Sequence, residues 1–312
     1  MNQEFYKDKN ILITGAEGFI GSNLSKELVK RGAKITALVH SNDIKNLYPI
    51  KDKIKIIIGD LNENESINKI SGTNAEYIFH LAALVKPNLE GKAEEVLENN
   101  LKSTINIAKA AIKMKNLKRL IFSSTCQIYG DSDKPKKEDH EINLKSMYSI
   151  SKYVCEEILK SYQKEEGLPL TIIRLSNIYG QNKKDNVIYF FIKASLENKG
   201  LIINGNGKQA RDFVHIEDAI EAFLIVTRED KLINKTINLG SRNQINIQDL
   251  AKKIKEMSKS SSDIIYQNND PGLRNIICDN DLLRSYGWEQ KVDFDSGLKK
   301  TIEWMKKNEN II

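Results

Sequence analysis

Cysteine is scarce in this chain of 312 residues. Cys126, Cys155 and Cys278 are odd in number, far apart and without CxxC spacing, so neither a disulfide framework nor a zinc knuckle is indicated. No metal is expected. Long apolar runs are missing too: none approaches the ~18 residues of a membrane span, and the opening stretch MNQEFYKDKN is polar, unlike a signal peptide. The expectation is a protein of the reducing cytoplasm with no membrane partner. Charge of one sign is equally hard to find, because 48 basic residues face 42 acidic ones for a net +6, interspersed apart from short clusters such as Lys134 to Lys137. That balance favours an anionic small ligand and speaks against nucleic acid. There is no internal repeat and no low-complexity tract. The length allows one large or two modest domains with ample core.

What the chain does have is a glycine turn in a telling place. In KNILITGAEGFIGS, from Lys9 to Ser22, the apolar Ile11, Leu12 and Ile13 run into Thr14, Gly15, Gly18 and Gly21, and the chain turns helical from Phe19. Strand, glycine turn and helix start make a phosphate cradle. The first glycine permits the tight turn, the second lets backbone approach a pyrophosphate, and the third lets helix and strand pack closely, with helix N–H groups aimed at the anion. The spacing is GxxGxxG, and its position after the first strand of an α/β chain gives it weight.

Further strands are predicted at 35–39, 55–58, 77–81, 119–123 and 170–175, alternating with helices at 19–30, 93–114 and 147–166. This rhythm predicts a Rossmann-type α/β fold, a doubly wound parallel sheet with right-handed crossovers. Residues 1–175 form the expected dinucleotide-binding domain, with a later segment near 212–243 packing back on it. From Ser176 the rhythm loosens into a smaller mixed α/β region, 176–312, suited to substrate binding. There a loop is expected at 177–184, helices at 187–198, 216–228, 247–258 and 294–307, a strand at 236–239, and a hairpin signal at Gly205-Asn206-Gly207.

In dinucleotide-binding units an acid at the end of the second strand grips the adenosine ribose, whereas a base suits a 2′-phosphate. Here His40 stands at that end, followed by Ser41 and Asn42, with Asp43 only afterwards, so NAD and NADP both stay open. After the fourth strand, Leu81, Ala82 and Ala83 are small enough to let backbone lie against a flat cofactor. His80 reads as a core histidine. Asn100, amid the apolar residues of the long helix, is either a satisfied buried amide or a cofactor contact.

The fifth strand delivers Ser124, Thr125 and Cys126 at its C-terminal end, where ligands sit in open α/β sheets. Tyr148 and Lys152 stand four apart on a predicted helix, their Cβ atoms about 6 Å apart on one face. An ammonium beside a phenol favours the phenolate and lowers the tyrosine pKa. Hydroxyl, phenol and ammonium together can move a proton on and off an alcohol while a nicotinamide takes its hydride.

Taken in order, TGAEGFIG from Thr14, GDL from Gly59, HLAA from His80, SSTCQIYG from Ser123, YSISK from Tyr148, RLSNIYG from Arg174, GNGKQARDFVHIED from Gly205, NLGS from Asn238 and PGLR from Pro271 resemble an extended short-chain dehydrogenase/reductase of the nucleotide-sugar epimerase/dehydratase family, with a likeness to UDP-glucose 4-epimerases. The resemblance implies that Gly15, Gly18, Phe19, Ile20 and Gly21 hold the pyrophosphate of NAD, Asp60 and Leu61 its adenine, and Leu81 to Ala83 its middle. Tyr148 becomes the acid/base, Lys152 the residue that orients the nicotinamide ribose and depresses the Tyr148 pKa, and Thr125, with Ser124 beside it, the partner of the reacting sugar hydroxyl. Asn177 and Arg211 would hold the diphosphate, with Arg274 a weaker candidate because PGLR lacks an aspartate that many relatives carry. Family dehydratases place Asp-Glu after the hydroxyl residue and decarboxylating members keep a glutamate there; this chain has Cys126 and Gln127. A 4-epimerase acting on a UDP-hexose needs only what is present. A C4 reductase or dehydrogenase with exchangeable NAD(P)H is the alternative, and a catalytically idle sugar-nucleotide sensor is the reading from another class. The family habit of pairing subunits through two long helices makes a homodimer the expectation.

Overall fold

The computed structural model describes residues 3–85, 93–270, 272 and 275–308. In chain order the elements are β1 (Asn10–Thr14), α1 (Phe19–Lys30), β2 (Lys34–Val39), β3 (Lys55–Ile58), α2 (Asn64–Ser71), β4 (Tyr77–His80), α3 (Ala93–Ala111), β5 (Arg119–Thr125), α4 (Met147–Glu166), β6 (Leu170–Leu175), β7 (Asn177–Tyr179), α5 (Val187–Leu196), β8 (Leu201–Asn204), β9 (Ala210–His215), α6 (Ile216–Arg228), β10 (Lys235–Leu239), β11 (Gln244–Asn246), α7 (Ile247–Ser258), β12 (Ile264–Gln267), β13 (Asn275–Ile276), α8 (Asp281–Ser285) and α9 (Phe294–Asn308). The chain divides into two compact units. The first takes Met1–Ile128, Leu144–Arg174 and Ala222–Ile237; the second takes Tyr129–Asn143, Leu175–Glu221 and Asn238–Ile312.

The central sheet has seven strands in the order β10-β6-β5-β4-β1-β2-β3. β1 pairs in parallel with β2 on one side and with β4 on the other, so the strand order reverses direction at β1. That reversal opens a crevice at the C-terminal strand ends. The inner strands are buried without alternation, as a sheet covered on both faces demands: every residue of β5 and of β6 is buried. Under one face lies a core cluster that includes Leu12, Ile78, Ile107, Leu120, Phe122, Cys155 and Leu159. α3 and α4 pack against each other in that unit.

α4 begins where its sequence dictates. Ser146 is the N-cap, its hydroxyl accepting from the Ser149 N–H at 3.1 Å while the Ser149 hydroxyl accepts from the Ser146 N–H at 3.1 Å, and Gly167 ends the helix in the left-handed conformation (φ 70°). These caps place Tyr148 in the first turn and Lys152 one turn on.

In the second unit a separate core gathers Tyr179, Ile188, Phe191, Ile192, Leu201, Phe213, Leu250, Ile254, Leu298 and Met305. Two expectations change here. The stretch expected as a loop from 177 opens with β7, which pairs in parallel with β9. The Gly205-Asn206-Gly207 turn closes no hairpin: β8 pairs in parallel with β12, and β9 with β7, β11 and β13. Both glycines have positive φ (71° and 74°). The Gln209 side chain caps the Asn204 carbonyl at 2.8 Å, and the Gly207 carbonyl accepts from the Gln248 N–H at 3.0 Å. The turn is therefore held open by groups outside it. Among the described residues no helix is long and apolar enough to cross a membrane, and no cluster of three or more His, Cys, Asp or Glu side chains could hold a metal.

Candidate active site

The glycine turn is built as its spacing requires. Gly15 has φ 66°, and a Cβ there would lie 2.9 Å from the Ala82 backbone; a Cβ on Gly21 would lie 2.2 Å from the Gly15 carbonyl oxygen. Side chains at these two positions would push β1, α1 and the loop after β4 apart. Gly18 is the N-cap of α1, with no side-chain cap and no acid in the first turn. The first turn, with Phe19, Ile20 and Gly21, therefore presents backbone N–H groups and the positive end of the helix dipole to an anion. This cradle fits a dinucleotide pyrophosphate.

At the end of β2 the exposed His40 offers its backbone rather than its ring. Its N–H donates to Glu17 Oε1 at 2.7 Å. The Glu17 carbonyl accepts from the Asn46 side chain at 3.0 Å, and Glu17 Oε2 is buried with no hydrogen-bond partner among the described residues. Glu17 was missed in the sequence reading, although it is the one ionisable residue inside TGAEGFIG. Asp60 turns one carboxylate oxygen onto the Asn62 N–H at 2.8 Å. Leu61 sits in the core cluster region, nearly fully buried, with its carbonyl held by Asn106 at 2.8 Å.

The loop Leu81–Leu84 is strapped down from two sides. Asn100 accepts from the Leu84 N–H at 2.7 Å and donates to the Leu84 carbonyl at 3.2 Å and to Ser151 Oγ at 3.0 Å. The Asn100 amide is thus satisfied by the chain itself and holds the loop. On the other side Thr14 Oγ1 accepts from the Ala82 N–H at 3.2 Å, so its own hydrogen goes to His80 Nδ1 at 2.9 Å. His80 Nε2 then carries the proton and donates to Thr104 Oγ1 at 3.2 Å, which donates to Cys155 Sγ at 3.3 Å. Burial, with Lys152 adding its charge, pushes the His80 imidazole down to about 3. It is neutral, and structural as expected.

Thr125 and Ser124 stand at the end of β5, both buried. Thr125 Oγ1 accepts from the Gln127 N–H at 3.2 Å, which leaves its hydroxyl hydrogen for another acceptor. Ser124 Oγ is buried without a partner among the described residues. Lys152 is buried with its Nζ 4.1 Å from the centre of the Phe122 ring, a cation–π contact. Burial pushes Lys152 down to about 8, while Cys155 and Glu156 pull the other way. One expectation is corrected: the Tyr148 phenol is not depressed. Burial raises it to about 12, Cys155 adding to the rise.

In the second unit Asn177 and Arg211 lie on β7 and β9. Asn177 Nδ2 donates to the Asp212 carbonyl at 3.2 Å, and Arg211 Nη1 to the Ala210 carbonyl at 2.9 Å. Burial lowers the Arg211 pKa and Asp131 opposes it. Arg274 lies outside the described residues. A cavity of about 980 Å³ is lined by Gly205, Asn206, Lys208, Gln209, Tyr266, Gln267, Asn268, Asn269 and Asn275. It is amide-rich and of a size to take a nucleotide.

Comparison with known proteins adds the following. The description "NAD dependent epimerase/dehydratase family" matches residues 11–240. The UDP-N-acetyl-alpha-D-glucosaminuronate decarboxylase of Bacillus cytotoxicus is 35% identical, over 97% of this chain and 99% of its own length. Among solved structures, the UDP-glucose 4-epimerase of Thermotoga maritima with UDP-glucose superposes with a TM-score of 0.89 at 27% identity, covering 96% of this chain and 100% of that one. The UDP-N-acetylglucosamine 4-epimerase of Methanobrevibacter ruminantium, in complex with UDP-N-acetylmuramic acid, gives 0.89 at 29% identity, covering 96% and 99%.

Proposed function

Because the chain belongs to the NAD dependent epimerase/dehydratase family, we propose that it epimerises a nucleotide-diphosphate hexose, a UDP-hexose, at C4 through a transient 4-keto sugar. The observation that carries this reading is the end of β5. Thr125 is followed by Cys126 and Gln127, neither of which is a carboxylic acid able to expel water from the sugar. What remains is the minimum set for moving one proton at one hydroxyl.

In this reading Thr125 accepts a hydrogen bond on one side, from Gln127, and donates its hydroxyl hydrogen to the reacting C4 oxygen. Tyr148 takes the proton from the C4 hydroxyl and returns it at the end. NAD held in the glycine cradle would supply the hydride acceptor and donor for C4. Lys152, one helical turn after Tyr148, supplies the positive charge that favours the phenolate as the proton is taken. Gly15, Gly18 and Gly21 with the first turn of α1 hold the pyrophosphate, and Asp60, Leu61 and Leu81 to Ala83 flank the adenine and the middle of the cofactor. Asn177, Arg211 and Arg274 bind the sugar diphosphate, for which a guanidinium fork is suited. The cavity beside Gln209 and Tyr266 takes the nucleotide base. A homodimer through α3 and α4 belongs to the same reading.

The decarboxylase at 35% identity favours a second reading, loss of CO2 from a nucleotide-linked uronic acid by the same C4 oxidation. One panel separates the two. Purified protein is incubated with UDP-glucose, UDP-N-acetylglucosamine and UDP-glucuronate with catalytic NAD, and products are followed by proton NMR. A C4 epimer formed without net NADH supports the first reading. CO2 and a UDP-pentose would replace it with the second, and, with NAD(P) added in excess, its stoichiometric reduction alongside an accumulating 4-keto sugar would replace both with a C4 reductase/dehydrogenase that exchanges its cofactor.

A further inference from the structure

We infer that Glu17 is the residue that selects NAD over NADP, taking from the glycine turn the place that β2 leaves without an acid; the inference rests on the dinucleotide part of the reading above. In dinucleotide-binding units the carboxylate that accepts from the adenosine ribose stands at the end of the second strand. Here that end reads Val39, His40, Ser41. Asp43 comes later, exposed and paired with Lys45 at 3.5 Å.

Glu17 lies between Gly15 and Gly18, in the turn that the parallel pairing of β1 and β2 sets beside the β2 end, where the Ala16 N–H reaches the Leu38 carbonyl at 3.4 Å. Its carboxylate is anchored through one oxygen. Oε1 accepts from the His40 N–H at 2.7 Å, and the backbone behind it is held by Asn46 at 3.0 Å. Oε2 is sheltered from water with no hydrogen-bond partner among the described residues, in a side chain that stays partly exposed, so a turn of the carboxyl group presents it to a ligand. A buried carboxylate oxygen without a donor is costly. The vicinal hydroxyls of an adenosine ribose supply the O–H donors it lacks, as charge-assisted hydrogen bonds. A 2′-phosphate would instead bring acceptors and negative charge against it, so the same oxygen that attracts NAD repels NADP.

The test is binding alone, with no sugar present. Protein stripped of bound nucleotide is titrated calorimetrically with NAD and with NADP, as wild type, Glu17→Gln and Glu17→Ala. Wild type is expected to bind NAD at least about a hundredfold more tightly, the two charge-assisted contacts accounting for it. In both variants NAD should weaken about tenfold while NADP does not, so that the ratio of the two dissociation constants falls. If both cofactors weaken equally, the carboxylate only braces His40 and the inference is overturned. It is overturned as well if neither changes, or if wild type binds the two alike. Wild type is also titrated with NAD lacking the adenosine 2′-hydroxyl, which needs no variant to fold. Binding about tenfold weaker than NAD supports the contact, and equal binding overturns it. A protein that shows this selection yet turns over no sugar nucleotide would count against the proposed reaction and leave Glu17 in its role.

Discussion

Arg174 on β6 grips Glu156 on α4 as a buried bidentate pair: Nη2 donates to Oε2 at 2.7 Å and Nε to Oε1 at 3.1 Å, with both side chains almost wholly out of solvent. Glu156 follows Lys152 by one helical turn, so the pair ties the helix that carries Tyr148 and Lys152 to the sheet. Removing one partner leaves a charge buried alone. Glu156→Leu is expected to destabilise the protein by roughly 3–5 kcal/mol, and Arg174→Leu by a similar amount. The double variant should lose much less than the sum, because no charge is stranded. Denaturant unfolding of the three variants checks this.

Lys152 predicts a pH dependence of stability. Its folded pKa of about 8 lies below the ordinary 10.5, so between those values the unfolded chain binds more protons than the folded one. Stability from this group therefore rises as pH increases from about 8 toward 10.5 and is flat below. Replacing Lys152 by Met should flatten the rise. Melting temperatures of both proteins across that window give the comparison.

At the acid end the sign is the same. The His80 pKa is pushed down to about 3 from 6.5, so the folded state refuses a proton that the unfolded chain accepts. Stability should fall as pH drops from about 6.5 toward 3. A His80→Asn variant would show a shallower fall, at lower stability throughout because Thr14 and Thr104 lose a partner each.

Gly21→Ala puts a methyl 2.2 Å from the Gly15 carbonyl oxygen. Backbone on both sides leaves no flexible atom to give way. An overpacking cost of roughly 1–3 kcal/mol and a loss of NAD affinity are expected together, and calorimetric titration with thermal melting measures both.

Much of the fold was legible because its strands and main helices carry unambiguous patterns: ILI into a glycine turn, and SYQKEEG closing α4. The segments that were missed lack such patterns. α2 reads NESINKIS, with two apolar residues in eight, and β11 and β13 are short strands whose existence depends on pairing with β9. The Gly205-Asn206-Gly207 turn misled because a local hairpin signal says nothing of which later strand takes the open edge. In the site, the types and spacing of Thr125, Tyr148 and Lys152 could be read directly. The direction of the Tyr148 shift could not, since it depends on how the folded chain packs around the phenol and on Cys155 beside it. Glu17 was hidden for a related reason: the sequence convention looks for the acid on β2, whereas proximity through the β1–β2 pairing delivers one from elsewhere.

Tyr148 carries the proton in the proposed reaction, so Tyr148→Phe should cut kcat by about 10²–10⁴-fold while the dissociation constant for NAD stays unchanged. Full turnover in that variant would remove the tyrosine from the chemistry.

The most direct measurement follows one atom. A UDP-hexose that the protein accepts is prepared with deuterium at C4 and converted to equilibrium, and both epimers are analysed by NMR and mass spectrometry. The account predicts that the deuterium remains at C4 in both, with none in solvent and none in cofactor released from the protein. Deuterium lost from C4, or found in free reduced cofactor, would contradict an oxidation and return at the same carbon.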